Sequence, residues 1–270
     1  MANNKMKERI QCVSFAFLYI LPLLLSIIIL VAAVWLSNSC VSFGIARGLV
    51  ACGIAMLILG LLGCVAMSVR RAVGVESHLM NLLSAFYFLF TAIFSIVILG
   101  YVIYAFSVTG YSGSPDSVPD RAYVEYRLDH FSHALRRQVS GNWRWDPIIS
   151  CLTPSIACAQ LDNAYSSAQQ LFAAHLNPLQ SGCCMPSAEC EYTFVSSTNW
   201  TPNNQTGGDC ANWSIDQRQL CYSCDSCKTG FLANMTKRIR KASLIILIPT
   251  LVSIFVLVGN FIDFCNHNRD

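Results

Sequence analysis

Gly182-Cys183-Cys184-Met185-Pro186 and, further on, Leu220-Cys221-Tyr222-Ser223-Cys224-Asp225-Ser226-Cys227-Lys228-Thr229-Gly230 are the two passages on which the reading turns. They lie in a long polar stretch, from about Val108 to Lys241, that also holds Cys151, Cys158, Cys190 and Cys210. Nine cysteines there make an odd number, and Cys40, in a short segment upstream, makes it ten. Three readings settle the parity: Cys40 pairs across to the long stretch, one thiol stays free, or one bridges two chains. Adjacent Cys183 and Cys184 point in different directions, so together they tie two separate segments to one point. In a reducing compartment Cys221, Cys224, Cys227 and the Cys-Cys pair could instead ligate zinc. The spacing offers only overlapping Cys-x-x-Cys pairs rather than two separate knuckles, and disulfides are the reading preferred.

Outside this stretch the chain is apolar. Of its 270 residues, 54% are hydrophobic and 12% charged, with mean hydropathy +0.48, far from globular averages. The net charge of +3 supplies no basic stripe for a phosphate backbone, so nucleic acid is not an expected partner. Segments 12–36, 48–69, 79–106 and 242–264 are each long enough to cross a bilayer. The first is too long for a cleaved signal core. Pro22 is tolerated there, and Trp35 sits at an end where an amphipathic ring favours the interface. The second span is rich in small residues, among them Gly48, Gly53, Gly60 and Gly63, which let helix backbones approach closely. The expected order is a tail (1–11), a small loop (37–47), a basic turn (70–78), a large loop (107–241) and a stub (265–270). The fold class is an all-α membrane protein of four helices, with a disulfide-linked, mostly helical extracellular loop between the third and fourth.

Four spans put both termini on one face. Lys5, Lys7, Arg9, Arg70 and Arg71 make that face cytosolic. Lys237, Arg238, Arg240 and Lys241 then fall outside, against the rule, but charges beside a long translocated domain weigh less. Disulfides require the large loop to face an oxidising compartment. Asn199, Asn204, Asn212 and Asn234 each open an Asn-x-Ser/Thr triplet, and all four lie in that loop. Asn234 ranks last as a glycan site because it approaches the bilayer.

Within the loop, Ser117-Val118-Pro119-Asp120 reads as a helix start, continued by Val124, Leu128, Phe131, Leu135 and Val139 and stopped at Gly141. Thr153-Pro154 reads as a second start, carried through Cys158, Leu161, Tyr165, Ala168 and Phe172 and ended by Asn177-Pro178. Asn199 to Asn212 reads as loop, and Ser214 with Gln217 as a third, short helix. Phe231 to Lys241 is expected to run straight into the fourth span.

Juxtamembrane Cys12, Cys64 and Cys265 are palmitoylation candidates, with small-residue packing as the alternative, while Cys52 lies too deep. Asn260 and Asp263 stand at the inner end of the fourth span, where a solvated end suffices to explain them. His130 and His133 beside Asp129 lack a nucleophile and the His-Glu-x-x-His spacing. No phosphate loop or cofactor motif is read, so neither a catalytic site nor a metal site is expected. Trp143, Arg144 and Trp145, with Tyr192 and Trp200, are residue types enriched at binding hot spots, burial among the disulfides being the competing reading.

Four spans, a small and a large outer loop, and Gly182-Cys183-Cys184 within the latter together resemble a tetraspanin. Gly182, Cys183, Cys184 and Pro186 resemble the Gly-Cys-Cys-Lys/Arg-Pro signature of the plant branch, with Met185 replacing its basic residue. The block from Leu220 to Gly230 resembles the family's sequence before the last span, and the single Cys40 fits the plant pattern. The inner turn carries Arg70-Arg71 where relatives often have more cysteines, and the third span lacks a strong central acid. The resemblance implies a non-enzymatic organiser that associates laterally with other tetraspanins and client membrane proteins, as homo- or hetero-oligomers. It further implies roles in cell–cell communication and development, at the plasma membrane or in endosomal or vesicle membranes. The competing classes are a receptor enclosing a membrane lipid such as a sterol and, after that, a small-molecule transporter.

Overall fold

The computed structural model describes residues 2–37, 40, 43–73, 78–110, 115–156, 158–203 and 207–267; within these, the side chains of 2–19, 43–46, 67, 70–73, 78–81, 83, 84, 155, 260 and 263–267 lie outside the description. The chain divides into two compact units: Met1–Asn38, Phe43–Ala105 and Lys241–Asp270 in one, Ser39–Ser42 and Phe106–Arg240 in the other.

The first unit is built from α1 (Ala2–Ser37), α2 (Phe43–Val73), most of α3 (His78–Gly110) and the later part of the final helix. All four helices are long and apolar enough to cross a membrane. Burial follows helical periodicity. Leu25, Ile29, Ala33 and Leu36 line the inner face of α1, whereas Leu24, Ile27, Val31 and Val34 are about half exposed. Apolar side chains left outward in this way suit contact with lipid tails.

Leu49 and Met56 mark the matching face of α2, and Gly53 and Gly60 share it. A Cβ on Gly60 would stand 2.7 Å from Leu23 Cγ, and one on Gly53 2.8 Å from Leu30 Cγ. Both glycines therefore set how closely α1 and α2 approach. Gly48, by contrast, has nothing within 4 Å of such a Cβ. Gly60→Ala is expected to lower thermal stability in detergent by about 1–3 kcal/mol through overpacking. Gly48→Ala is expected to leave it unchanged or slightly raised. Paired melting curves of the two variants check this.

The second unit contains the long polar stretch. Its elements in order are β1 (Asp116–Ser117), β2 (Val124–Glu125), a 3-10 turn (Leu128–His130), α4 (His133–Val139), α5 (Asn142–Ile156), α6 (Cys158–Ala164) and α7 (Ala168–Phe172). There follow α8 (Pro178–Cys183), a 3-10 turn (Ala188–Cys190), β3 (Thr193–Ser196), β4 (Asn199–Thr201), α9 (Asp209–Asn212) and α10 (Asp225–His267). β1–β2 and β3–β4 are two separate antiparallel ladders.

Several local expectations fail here. The helix expected to start at Ser117 is replaced by the first ladder, a 3-10 turn and α4. Arg121 N donates to Val118 O across a turn, and Asp120 takes φ +61°, which a right-handed helix cannot contain. Gly141, at φ +78°, separates α4 from α5. Thr153-Pro154 does not start a helix but sits in the last turns of α5, where Thr153 Oγ1 donates to the Ile149 carbonyl one turn back. Asn177-Pro178 opens a helix rather than closing one. Ser214 and Gln217 form no capping box, since Gln217 Nε2 reaches Thr198 Oγ1 instead. The stretch from Asn199 to Asn212 contains β4 and α9.

Candidate functional site in the cysteine-linked unit

The Gly-Cys-Cys passage is half of a backbone-to-backbone joint. Asn177 Oδ1 accepts from Leu179 N (3.0 Å) and Gln180 N (2.9 Å), Gln180 Oε1 accepts from Asn177 N, and Pro178 occupies the first turn. This capping box starts α8. Its Gly182 lies so close to the first turn of α10 that a Cβ would overlap the Ser226 carbonyl. Gly230 repeats the arrangement from α10, where a Cβ would overlap the Pro178 carbonyl. Ser226 Oγ donates to Gly182 O (3.0 Å), and Cys221 N donates to Cys183 O (3.2 Å). The two glycines, set in the two quoted passages, explain why those passages carry glycine at these points.

Sulfur closes the joint. Among the described residues ten cysteines form five disulfides: Cys40–Cys151, Cys158–Cys184, Cys183–Cys227, Cys190–Cys210 and Cys221–Cys224. Cys183 thus ties α8 to α10, and Cys184 ties α8 to α6. Asp209, beside Cys210, caps α10 from a distance: its carboxylate accepts from Asp225 N (2.7 Å) and Ser226 N (2.8 Å). A negative charge at that helix start is also favoured by the helix dipole. Met185 and Pro186 are buried. At Met185 an apolar side chain occupies an interior position where the plant signature carries a charge.

Trp145 and Tyr222 brace the joint. Trp145 Nε1 donates to Tyr222 O (2.8 Å), and its ring meets Phe231 edge-on at 5.9 Å. The Tyr222 hydroxyl points at Cys158 Sγ (3.6 Å), and burial raises its pKa. Trp145 and Trp200 are buried in this way, whereas Trp143 is 73% exposed with Arg144 stacked 4.4 Å from its ring centroid. Tyr192 is half-buried, and its hydroxyl donates to Cys210 O.

A second cluster holds the β3–β4 hairpin. Trp200 stacks on Phe172 and meets Phe194 edge-on, while Arg121 lies 4.7 Å from the Phe172 centroid. The Asp162 carboxylate accepts from Thr198 N, Thr198 Oγ1 and Ser196 Oγ. Glu125 accepts from Ala188 N (2.9 Å) and Ser187 Oγ (3.3 Å) and lies 3.8 Å from Arg121. Asp209, Asp162 and Glu125 carry no local sequence signal, because the backbone groups that they satisfy lie far along the chain.

Burial raises the Glu125 carboxyl above 4.5, against the opposing pull of its Ala188 hydrogen bond and Arg121. The folded state therefore binds this proton more tightly than the unfolded one. Its contribution is full below 4.5 and is lost as pH rises through the folded value. Glu125→Gln, which keeps an acceptor for Ala188, is expected to flatten that part of the stability profile while changing midrange stability by about 1 kcal/mol or less. Unfolding midpoints of the full chain across roughly pH 4 to 8 check this.

The remaining candidates are not brought together. His130 ends a 3-10 turn and His133 opens α4. Asn212 is exposed on α9, Asn199 is half-buried in β4, and Asn234 is half-buried on α10. Asn204 lies outside the described residues, as do the side chains of Cys12, Asn260, Asp263 and Cys265. Cys64 is half-buried against Tyr87, a packing position. Among the described residues the unit displays three large exposed apolar side chains, Trp143, Val195 and Ile215. It also has an open cleft of about 350 Å³ between Ile149, Thr153, Asn212, Arg218, Gln219 and Tyr222.

Comparison with known proteins places this geometry. The model of the Tetraspanin family matches residues 10–266. The chain is 38% identical over 250 residues to Tetraspanin-2 of Arabidopsis thaliana, covering 90% of this chain and 88% of that one. It is 44% identical over 158 residues to Protein TORNADO 2 of the same organism, covering 58% of each. To Tetraspanin-8, also of Arabidopsis thaliana, it is 30% identical over 259 residues, 93% of this chain and 91% of that one. No solved structure matches.

Proposed function

The chain belongs to the tetraspanin family, and from that premise we propose that it gathers client membrane proteins and other tetraspanins into microdomains at the plasma membrane, in cell–cell communication and development. The observation that supports this reading best is the combination of a tightly cross-linked frame with the apolar side chains it leaves outside. Trp143, Val195 and Ile215 are between 54% and 73% exposed, on a unit held by five disulfides. A rigid frame lowers the entropy lost on docking, and exposed aromatics are effective anchors. In this reading the large loop faces outward and selects clients, and N-glycans on Asn212, Asn199 and Asn204 limit which faces a client reaches, with Asn234 the least used. Acyl groups on Cys12 and Cys265, and to a lesser degree Cys64, set the lipid surroundings. Proximity labelling in intact membranes tests the proposal. Recovery of a defined set of membrane neighbours that shrinks for Trp143→Ala supports it, and labelling at background overturns it.

A further inference from the structure

Helix α10 carries its charges on the wrong side for a membrane protein, and on one particular face. Lys237, Arg238, Arg240 and Lys241 directly precede the apolar segment. On a helix of about 3.6 residues per turn, Arg240, Lys241, Leu244, Ile248, Leu251, Val252 and Phe255 all point within about 60° of Lys237. Lys237, Arg240 and Lys241 are exposed, and so are the apolar members of that stripe, from 45% at Val252 to 80% at Phe255. The opposite face, with Ile239, Ala242, Ile246, Thr250 and Ser253, is buried. The three cations therefore continue the same stripe that farther along is apolar and open to lipid. Among the described residues none of the three has an acidic partner.

Height matches as well. Lys241 stands about 4.5 Å above Leu244 along the axis, and Lys237 about 10 Å above it. The headgroup layer is roughly 5–7 Å thick on each side of the hydrocarbon. With Leu244 taken as the first residue in the hydrocarbon, Lys241 and Arg240 would stand within that layer, and Lys237 would reach it by bending its alkyl stem downward. Charges serving only to solvate the unit would not need to share the lipid-facing direction.

We propose that Lys237, Arg240 and Lys241 form a binding site for the phosphate of anionic phospholipid headgroups in the outer leaflet. The assignment of leaflet rests on the exoplasmic placement of the large loop. The site would retain an annulus of acidic lipid beside α10 and fix the depth at which this helix enters the bilayer.

The test uses the full chain reconstituted in phosphatidylcholine vesicles doped with spin-labelled phosphatidylserine or spin-labelled phosphatidylcholine, reading the motionally restricted fraction of each. A basic residue near an anionic surface strengthens binding by up to about fivefold, so a preference of about that size for phosphatidylserine is expected, falling toward parity in high salt. The combined Lys237→Gln, Arg240→Gln, Lys241→Gln variant is expected to lose most of it. The charge-retaining pair Lys237→Arg, Lys241→Arg, and a variant neutralised instead at Lys5, Lys7, Arg70 and Arg71, are expected to keep it. Parity in the unaltered chain, or a triple-glutamine variant indistinguishable from it, overturns the site. Tagging of the loop thiols on intact cells with an impermeant reductant and an impermeant maleimide reads the placement separately. An untagged loop with the preference retained keeps the phosphate site but moves it to the inner leaflet, overturning the outer-leaflet assignment alone.

Discussion

Gly182→Ala is expected to abolish the native joint between α8 and α10, with a loss of more than about 4 kcal/mol, in the range reserved for severe single lesions. The added methyl would occupy the space of the Ser226 carbonyl oxygen, a backbone atom held by α10 itself, rather than the end of a pliable side chain. Relief requires the helices to separate. Separation would break the Ser226 Oγ bond to Gly182 O and the Cys221 N bond to Cys183 O, and would strain a disulfide whose Cα atoms stand 4.3 Å apart. Ordinary Gly-to-Ala exchange in a helix is stabilising by about 1 kcal/mol, so the sign itself is diagnostic. Gly207→Ala, where a Cβ meets nothing within 4 Å, is the matched control and should be close to neutral. Protease resistance of the loop and recovery of folded protein from membranes distinguish the two.

Replacing Cys183 and Cys227 together by serine is expected to cost about 4 kcal/mol on the chain-entropy model, since the bridge closes a separation of 44 residues. The same exchange at Cys221 and Cys224, separated by 3 residues, should cost only about 2 kcal/mol on that model. All four sulfurs belong to fully buried residues, so lost packing does not separate the two pairs and loop length does. Cys40–Cys151, with a separation of 111 residues, would rank higher still in a free chain. The membrane spans between these two cysteines already restrict the unfolded state, however, so its margin over Cys183–Cys227 should be small. Guanidinium midpoints of the two double variants, measured side by side in the same detergent, give the ranking. Equal losses would mean that entropy of the open chain is not the main contribution.

The four-helix membrane fold was legible because lipid imposes a coarse requirement: long runs with every backbone group satisfied internally. The family likeness was legible because Gly182 and Gly230 allow a backbone approach, and Cys183 and Cys184 form bridges, that other residues cannot make. The secondary structure of the large loop was far less legible. Ser117-Val118-Pro119-Asp120 has the residues of a helix start, yet pairing of Ser117 with Val124 and the left-handed turn at Asp120 win. Asn177-Pro178 can end one helix or begin another, and the choice rests on Gln180 closing the box. At Ser214 the expected partner, Gln217, is drawn away to Thr198, part of the network on Asp162. At Ser214 a contact between residues 19 apart in sequence overrides a local preference worth about 1 kcal/mol. Asp209 shows the same limit at the joint, capping a helix that begins 16 residues after it.

Client selection by the large loop, and the outer-leaflet assignment of the phosphate site, depend on that loop being oxidised and outside. Mass-tagging of thiols on intact cells with a membrane-impermeant maleimide, followed by non-reducing peptide mapping, addresses both conditions at once. The account predicts no tagging of loop peptides until an impermeant reductant is added, strong tagging afterwards, and linked peptides that include Cys183–Cys227 and Cys158–Cys184. Loop thiols that react without reduction, or only after the membrane is permeabilised, would contradict it.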